Sequence, residues 1–201
     1  MKKLIALILC LTLALSMAAC NGNKPVETKP VETKPVETTT VPTTEAAPVA
    51  ESALEILETV WAQFGEDEKW FVMGGDYDAP VDGAPGATTN VDWLVNTLLV
   101  PEDQTANVKN AASMVHAMMV NNFACGAFQV EGDAKAFAEA MHTKISTNPW
   151  ICGQPEKMVI AVLGDFVVTV YGVNDAVNPF ETKLTTAYPT AELVYSVAIN
   201  G

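Results

Sequence analysis

The pattern of apolar and polar positions divides the chain into three stretches. An uncharged apolar run extends from Leu4 to Leu15, residues 21–50 carry no recurring apolar face, and periodic patterning begins at Ser52. In that third stretch Leu54, Leu57, Val60, Trp61 and Phe64 recur at helical spacing. Ser52 with Glu55 forms a capping box, so a helix is expected from Ala53 to Phe64. Gly-Gly, Ala-Pro and Asp-Gly pairs predict an irregular path from Gly65 to Asn90. Further helices are expected from Val91 to Leu99, stopped by Pro101, and from Ala106 to Val120.

The second half reads more clearly. Phe123–Val130 has strand character, and Asp133 caps a helix whose apolar face is Ala134, Phe137, Ala138, Met141 and Ile145. Met158–Leu163 and Phe166–Tyr171 form a hairpin through Gly164-Asp165. Asn178-Pro179 with Glu181 opens another helix carrying Phe180, Leu184 and Ala187 or Tyr188, and Leu193, Tyr195, Val197 and Ile199 alternate along a last strand. The succession β-α-β-β-α-β predicts an α+β fold with a ferredoxin-like split sheet. Met158–Leu163 is apolar on both faces, so both sides of the sheet are expected to be covered. The two crossover helices would cover one, and the N-terminal helices or a second subunit the other.

Charge narrows the function classes. Residues 51–201 contain six lysines and twenty acidic residues, a net −14, and the chain has no arginine. Arginine supplies the bidentate contacts that phosphates and base edges need. An acidic domain without it repels a nucleic acid backbone, so nucleic acid is not expected among its partners. Cations are favoured electrostatically.

The first two stretches read as export and tethering. Lys2 and Lys3 precede the apolar run, which is shorter than the roughly 20 residues a membrane-spanning helix needs. Leu15-Ser16-Met17-Ala18-Ala19-Cys20 resembles the lipobox of bacterial lipoproteins, with Met17 in place of the usual leucine. The resemblance implies a signal peptide over residues 1–19, cleavage after Ala19, a diacylglycerol thioether on Cys20, and a membrane partner reached through that lipid. Residues 20–50 then form a disordered tether in which Lys-Pro-Val-Glu-Thr occurs three times, at 24–28, 29–33 and 34–38. Fully extended as polyproline II, it spans roughly 90 Å. Residues 51–201 are a single domain by length.

Candidate chemistry is sparse. Cys10 leaves with the signal peptide and Cys20 carries lipid, which leaves Cys125 and Cys152 as a pair in an oxidising compartment. In the split fold both lie at the same end of the sheet, and a disulfide would close a loop contributing roughly 3–4 kcal/mol. The alternatives are two free thiols, a redox pair lacking the C-x-x-C spacing, or a metal site joined by His116 or His142. Asp76, Asp78 and Asp82 on a glycine-rich loop form a calcium candidate, but Pro80 replaces a ligand and no closing glutamate follows. Trp61, Phe64, Trp70, Phe71, Tyr77 and Trp93 either cover the sheet or line a groove, while Trp150 is expected to pack on the disulfide. Ser113 and His116, three apart on the expected helix, lack the surroundings of a catalytic triad, and both histidines read as structural. No cofactor motif is present.

The loop Asp82-Gly83-Ala84-Pro85-Gly86, the strand start Phe123-Ala124-Cys125-Gly126 and the stretch from Trp150-Ile151-Cys152-Gly153 through Gly164-Asp165-Phe166-Val167-Val168 are similar to small lipoproteins of anaerobic Gram-positive bacteria. That resemblance implies no activity. The reading that best fits the sequence is a non-catalytic binding or interaction module for a protein or small-molecule ligand in the envelope. An extracytoplasmic enzyme with a dispersed site and an accessory subunit of an envelope complex are the alternatives.

Overall fold

A computed structural model describes residues 50–199. The expected signal peptide, Cys20 and all but the last residue of the tether lie outside them. The first helix, α1 (Ala53–Trp61), starts as its capping box requires, with Ser52 Oγ accepting from the Glu55 N–H at 3.1 Å. Three short strands follow, β1 (Val72–Gly75), β2 (Pro80–Asp82) and β3 (Gly86–Thr88), then helix α2 (Val91–Asn96). Next come β4 (Val108–His116), β5 (Phe123–Val130), helix α3 (Ala134–Ser146), the hairpin β6 (Lys157–Leu163) and β7 (Phe166–Gly172), helix α4 (Asn174–Ala187) and β8 (Glu192–Ala198). None of the described helices is long and apolar enough to cross a membrane.

The strands build one open antiparallel sheet in the order β2-β1-β4-β5-β7-β6-β8, with β3 beside β1 along the same flank of β4. The segment expected to be a helix from Ala106 to Val120 is therefore mostly strand. Ala111 to Val115 are buried on both faces, and such a run has no periodicity to separate strand from helix. Pairing with β5 on one side and with β1 and β3 on the other decides it.

The β-α-β-β-α-β succession is present from β5 to β8, but the ferredoxin-like sheet is not. That arrangement would set β8 beside β5. Here β4 occupies that flank of β5, and β8 pairs with β6 instead. Both crossovers consequently step the same way across the sheet, from strands that point in opposite directions. Right-handed connections then put their helices on opposite faces. Helix α4 packs with α1 over Met114, Phe123, Cys125, Val159, Val168 and Val170. Helix α3 packs with α2 over Val115, Phe128, Met158, Ile160, Val167 and Tyr171. Both faces are covered, but the expected division, with the two crossover helices together on one face, is corrected: each face carries one N-terminal and one crossover helix.

Helix α4 begins at Asn174 rather than after Asn178, so Pro179 falls within its second turn. The start is set from a distance: Glu156, in the loop before β6, accepts the Asn174 N–H at 2.8 Å. A cap supplied by a residue eighteen positions away leaves no local signature. In β8 a bulge opposite Ile160 and Ala161 breaks the expected alternation, aligning Leu193 with Ala161 but Tyr195 with Ile160.

Candidate functional site

The acidic loop folds as a closed turn. Asp76 is buried, and its Oδ1 accepts from the N–H groups of Asp78 and Ala79 at 3.0 and 3.1 Å while Oδ2 accepts from the Thr88 hydroxyl at 2.8 Å. Burial pushes its carboxyl up, but the donors from Thr88, Asp78, Ala79 and Thr89 outweigh this and hold it below the usual carboxylate range. Asp78 accepts from the Asn90 side chain at 2.9 Å, and Asp82 is exposed on β2. These bonds suit an acidic turn, the reading weighed against a calcium loop. Asp76 spends its oxygens on protein donors, and no three acidic, histidine or cysteine side chains converge among the described residues.

The expected disulfide is not formed: Cys125 and Cys152 are both unpaired. They do lie at the same end of the sheet. However, alternation along β5 turns Cys125 into the α1/α4 layer, where it is fully buried, whereas Cys152 sits exposed in the loop leaving α3 on the other face. Burial pushes the Cys125 thiol well up, which makes it inert. Trp150 packs on Tyr171 at 5.2 Å between ring centroids, not on a disulfide.

The histidines do not converge. His142 on α3 stacks on Tyr195 at 4.0 Å and 13°. His116 ends β4, with Nδ1 accepting from the N–H groups of Met118 and Met119 at 3.2 Å each. Ser113 is buried within β4 on the opposite face from His116, donating to the Gly75 carbonyl and accepting from Trp93 Nε1. Strand geometry, with neighbours alternating, separates a pair that a helix would have aligned.

The aromatics divide in the same manner. Trp61, Phe64 and Trp70 join Phe123 and Phe180 in an edge-to-face cluster at 5.0–5.7 Å, and Trp93 is buried on the other face. Phe71 and Tyr77 remain exposed, Tyr77 standing edge-on to Trp93 at 4.5 Å.

Several exposed apolar side chains gather at the end of the sheet where β4 turns into β5. Phe71, Met118, Met119 and Ile151 are exposed there, Met118 and Ile151 at 81% and 76%. The Ala117 N–H donates to the Phe71 carbonyl at 3.1 Å, joining two of the segments. Two open hollows flank the 117–122 loop. One, of 240 Å³, is lined by Met118, Met119, Val120, Asn121, Ile151 and Cys152. The other, of 220 Å³, is lined by Trp70, His116, Asn122, Val173, Asp175 and Ala176. The Trp70 indole N–H is buried without a partner. Periodicity could not show this site, because loops after different elements build it. Met118 and Met119 fell within the helix expected from Ala106 to Val120, so no local signal marked them as a turn.

Helix α1 starts at the other end, its Ala53 N–H donating at 2.9 Å to Asn110 near the start of β4. The chain therefore enters the domain opposite the apolar loops. No protein-family model matches the chain, and no curated protein or solved structure is significantly similar to it.

Proposed function

We propose that this protein is a membrane-anchored, extracytoplasmic lipoprotein whose domain is a non-catalytic binding module, engaging a protein or small-molecule ligand through the loops at the β4–β5 end. Lipid on Cys20 and the tether to residue 50 hold it to the membrane. The observation carrying this reading is the group Phe71, Met118, Met119 and Ile151, large apolar side chains left in solvent around two hollows. Apolar groups clustered on loops of a rigid sheet are characteristic of interaction surfaces. The first described helix starts at the opposite end of the sheet. Asn122, Asp175 and His116 provide polar groups for a ligand in the second hollow.

Two experiments test the reading. Metabolic labelling with an alkyne fatty acid should mark the full chain and be lost in Cys20→Ala; an unlabelled wild-type chain rules out the anchor. A photo-cross-linker at Ile151 should give a discrete adduct in intact cells that a cross-linker at exposed Glu131 does not. Identical patterns from both positions rule out the binding surface.

A further inference from the structure

The hollow between the 117–122 loop and the α3–β6 loop is lined by three sulfur-bearing side chains, Met118, Met119 and Cys152. The two segments are tied together beside those sulfurs. Asn121 Nδ2 donates to the carbonyls of Ile151 at 2.9 Å and Gly153 at 2.7 Å, the two residues that bracket Cys152. Cys152 itself holds a left-handed backbone at φ 64°, which puts it at the point of the bend. Asn122 Nδ2 lies 3.8 Å from Met119 Sδ, a weak contact that orients the thioether without occupying it fully. The thiol is exposed, in contrast to the buried Cys125.

We infer that Met118, Met119 and Cys152 form a binding site for a soft monovalent cation of the Cu(I) class. Thiolate and thioether donors select Cu(I) over harder ions. The described residues offer no group of three histidine, cysteine or acidic side chains that would favour zinc or calcium. The acidic, arginine-free chain attracts cations. Binding exchanges the thiol proton for the metal: one S–H bond breaks, one S–Cu bond forms, one proton is released, and copper stays Cu(I) throughout. The two thioethers complete the coordination as neutral donors. The inference stands whether or not the same loops bind a protein.

The test uses the full chain carrying Cys10→Ser and Cys20→Ser, purified in detergent under reducing, anaerobic conditions. Cu(I) is titrated against a chromogenic Cu(I) chelator, with bound metal counted by native mass spectrometry. One equivalent is expected. Cys152→Ser should abolish it, and the double variant M118L/M119L should weaken it at least tenfold. All three positions are exposed, and circular dichroism confirms that each variant is folded. Binding unchanged in M118L/M119L reduces the site to an ordinary surface thiol and overturns the inference, as does binding that survives Cys152→Ser.

Discussion

Asp76 shows how one residue type acquires a role that its spacing did not suggest. The Asp76-Tyr77-Asp78 pattern resembles the start of a cation loop, but the carboxylate instead accepts from the Asp78 and Ala79 N–H groups and the Thr88 hydroxyl. Replacing Asp76 with alanine strands these donors, and urea unfolding should show a loss of about 2 kcal/mol. The pH dependence follows from the direction of its shift. A carboxyl held below its unfolded value stabilises the fold above the ordinary carboxylate range and loses that contribution as pH falls through the folded value. Asp76→Asn should therefore show a shallower decline in stability below about pH 4 than the unaltered chain. Equal slopes would mean that this carboxyl is not held down. Tyr171 is a second case. Its buried hydroxyl donates to the Thr97 carbonyl at 2.6 Å, and burial pushes its ionisation well up. Tyr171→Phe leaves that carbonyl without its donor and should cost about 1–2 kcal/mol in the same assay.

At the scale of elements, close approach of backbones governs the β1–β3 corner. A side chain at Gly74 would place Cβ 2.3 Å from both the Ala84 oxygen and the Gly86 nitrogen. Backbone on the facing segment cannot swing aside, so Gly74→Ala should destabilise by about 3 kcal/mol. Gly83 has open space but a φ of 73°, so Gly83→Ala should cost only about 1 kcal/mol, from the left-handed conformation alone. Thermal melts of the two variants separate contact from conformation, and equal losses would contradict the close packing at Gly74. These glycines were legible as turn signals. That one of them receives a facing strand was not, because β3 reaches it through pairing with β4.

For the whole molecule, the layered sheet decides the state of the cysteines. Cys125 faces the α1/α4 layer and Cys152 the solvent beyond α3, so a thiol reagent should label one of them in the native protein and both only after unfolding. The Cys10→Ser and Cys20→Ser chain, exported to an oxidising compartment, should have the mass of two free thiols. A mass lower by two hydrogens would show a bond that this packing does not form. The same layering keeps Ser113, His116 and His142 apart, which is why their order along the chain carried no catalytic meaning.

The sequence by itself determined what depends on neighbours along the chain. The helix from Ala53 with its Ser52 cap, the helix from Ala134, the β6–β7 hairpin and the cover on both faces of the sheet all follow from local periodicity, capping and turn chemistry. Only the tertiary structure decided what depends on partners distant in sequence. β4 became a strand because two flanks were there to pair with it, and by holding one side of β5 it sent β8 to the far edge and the crossover helices to opposite faces. The candidate site belongs to this second kind. Phe71, Met118, Met119, Ile151 and Cys152 meet because separate strands and a helix end at one rim, and hydrophobic patterning records the face a residue occupies but not the rim at which its element stops.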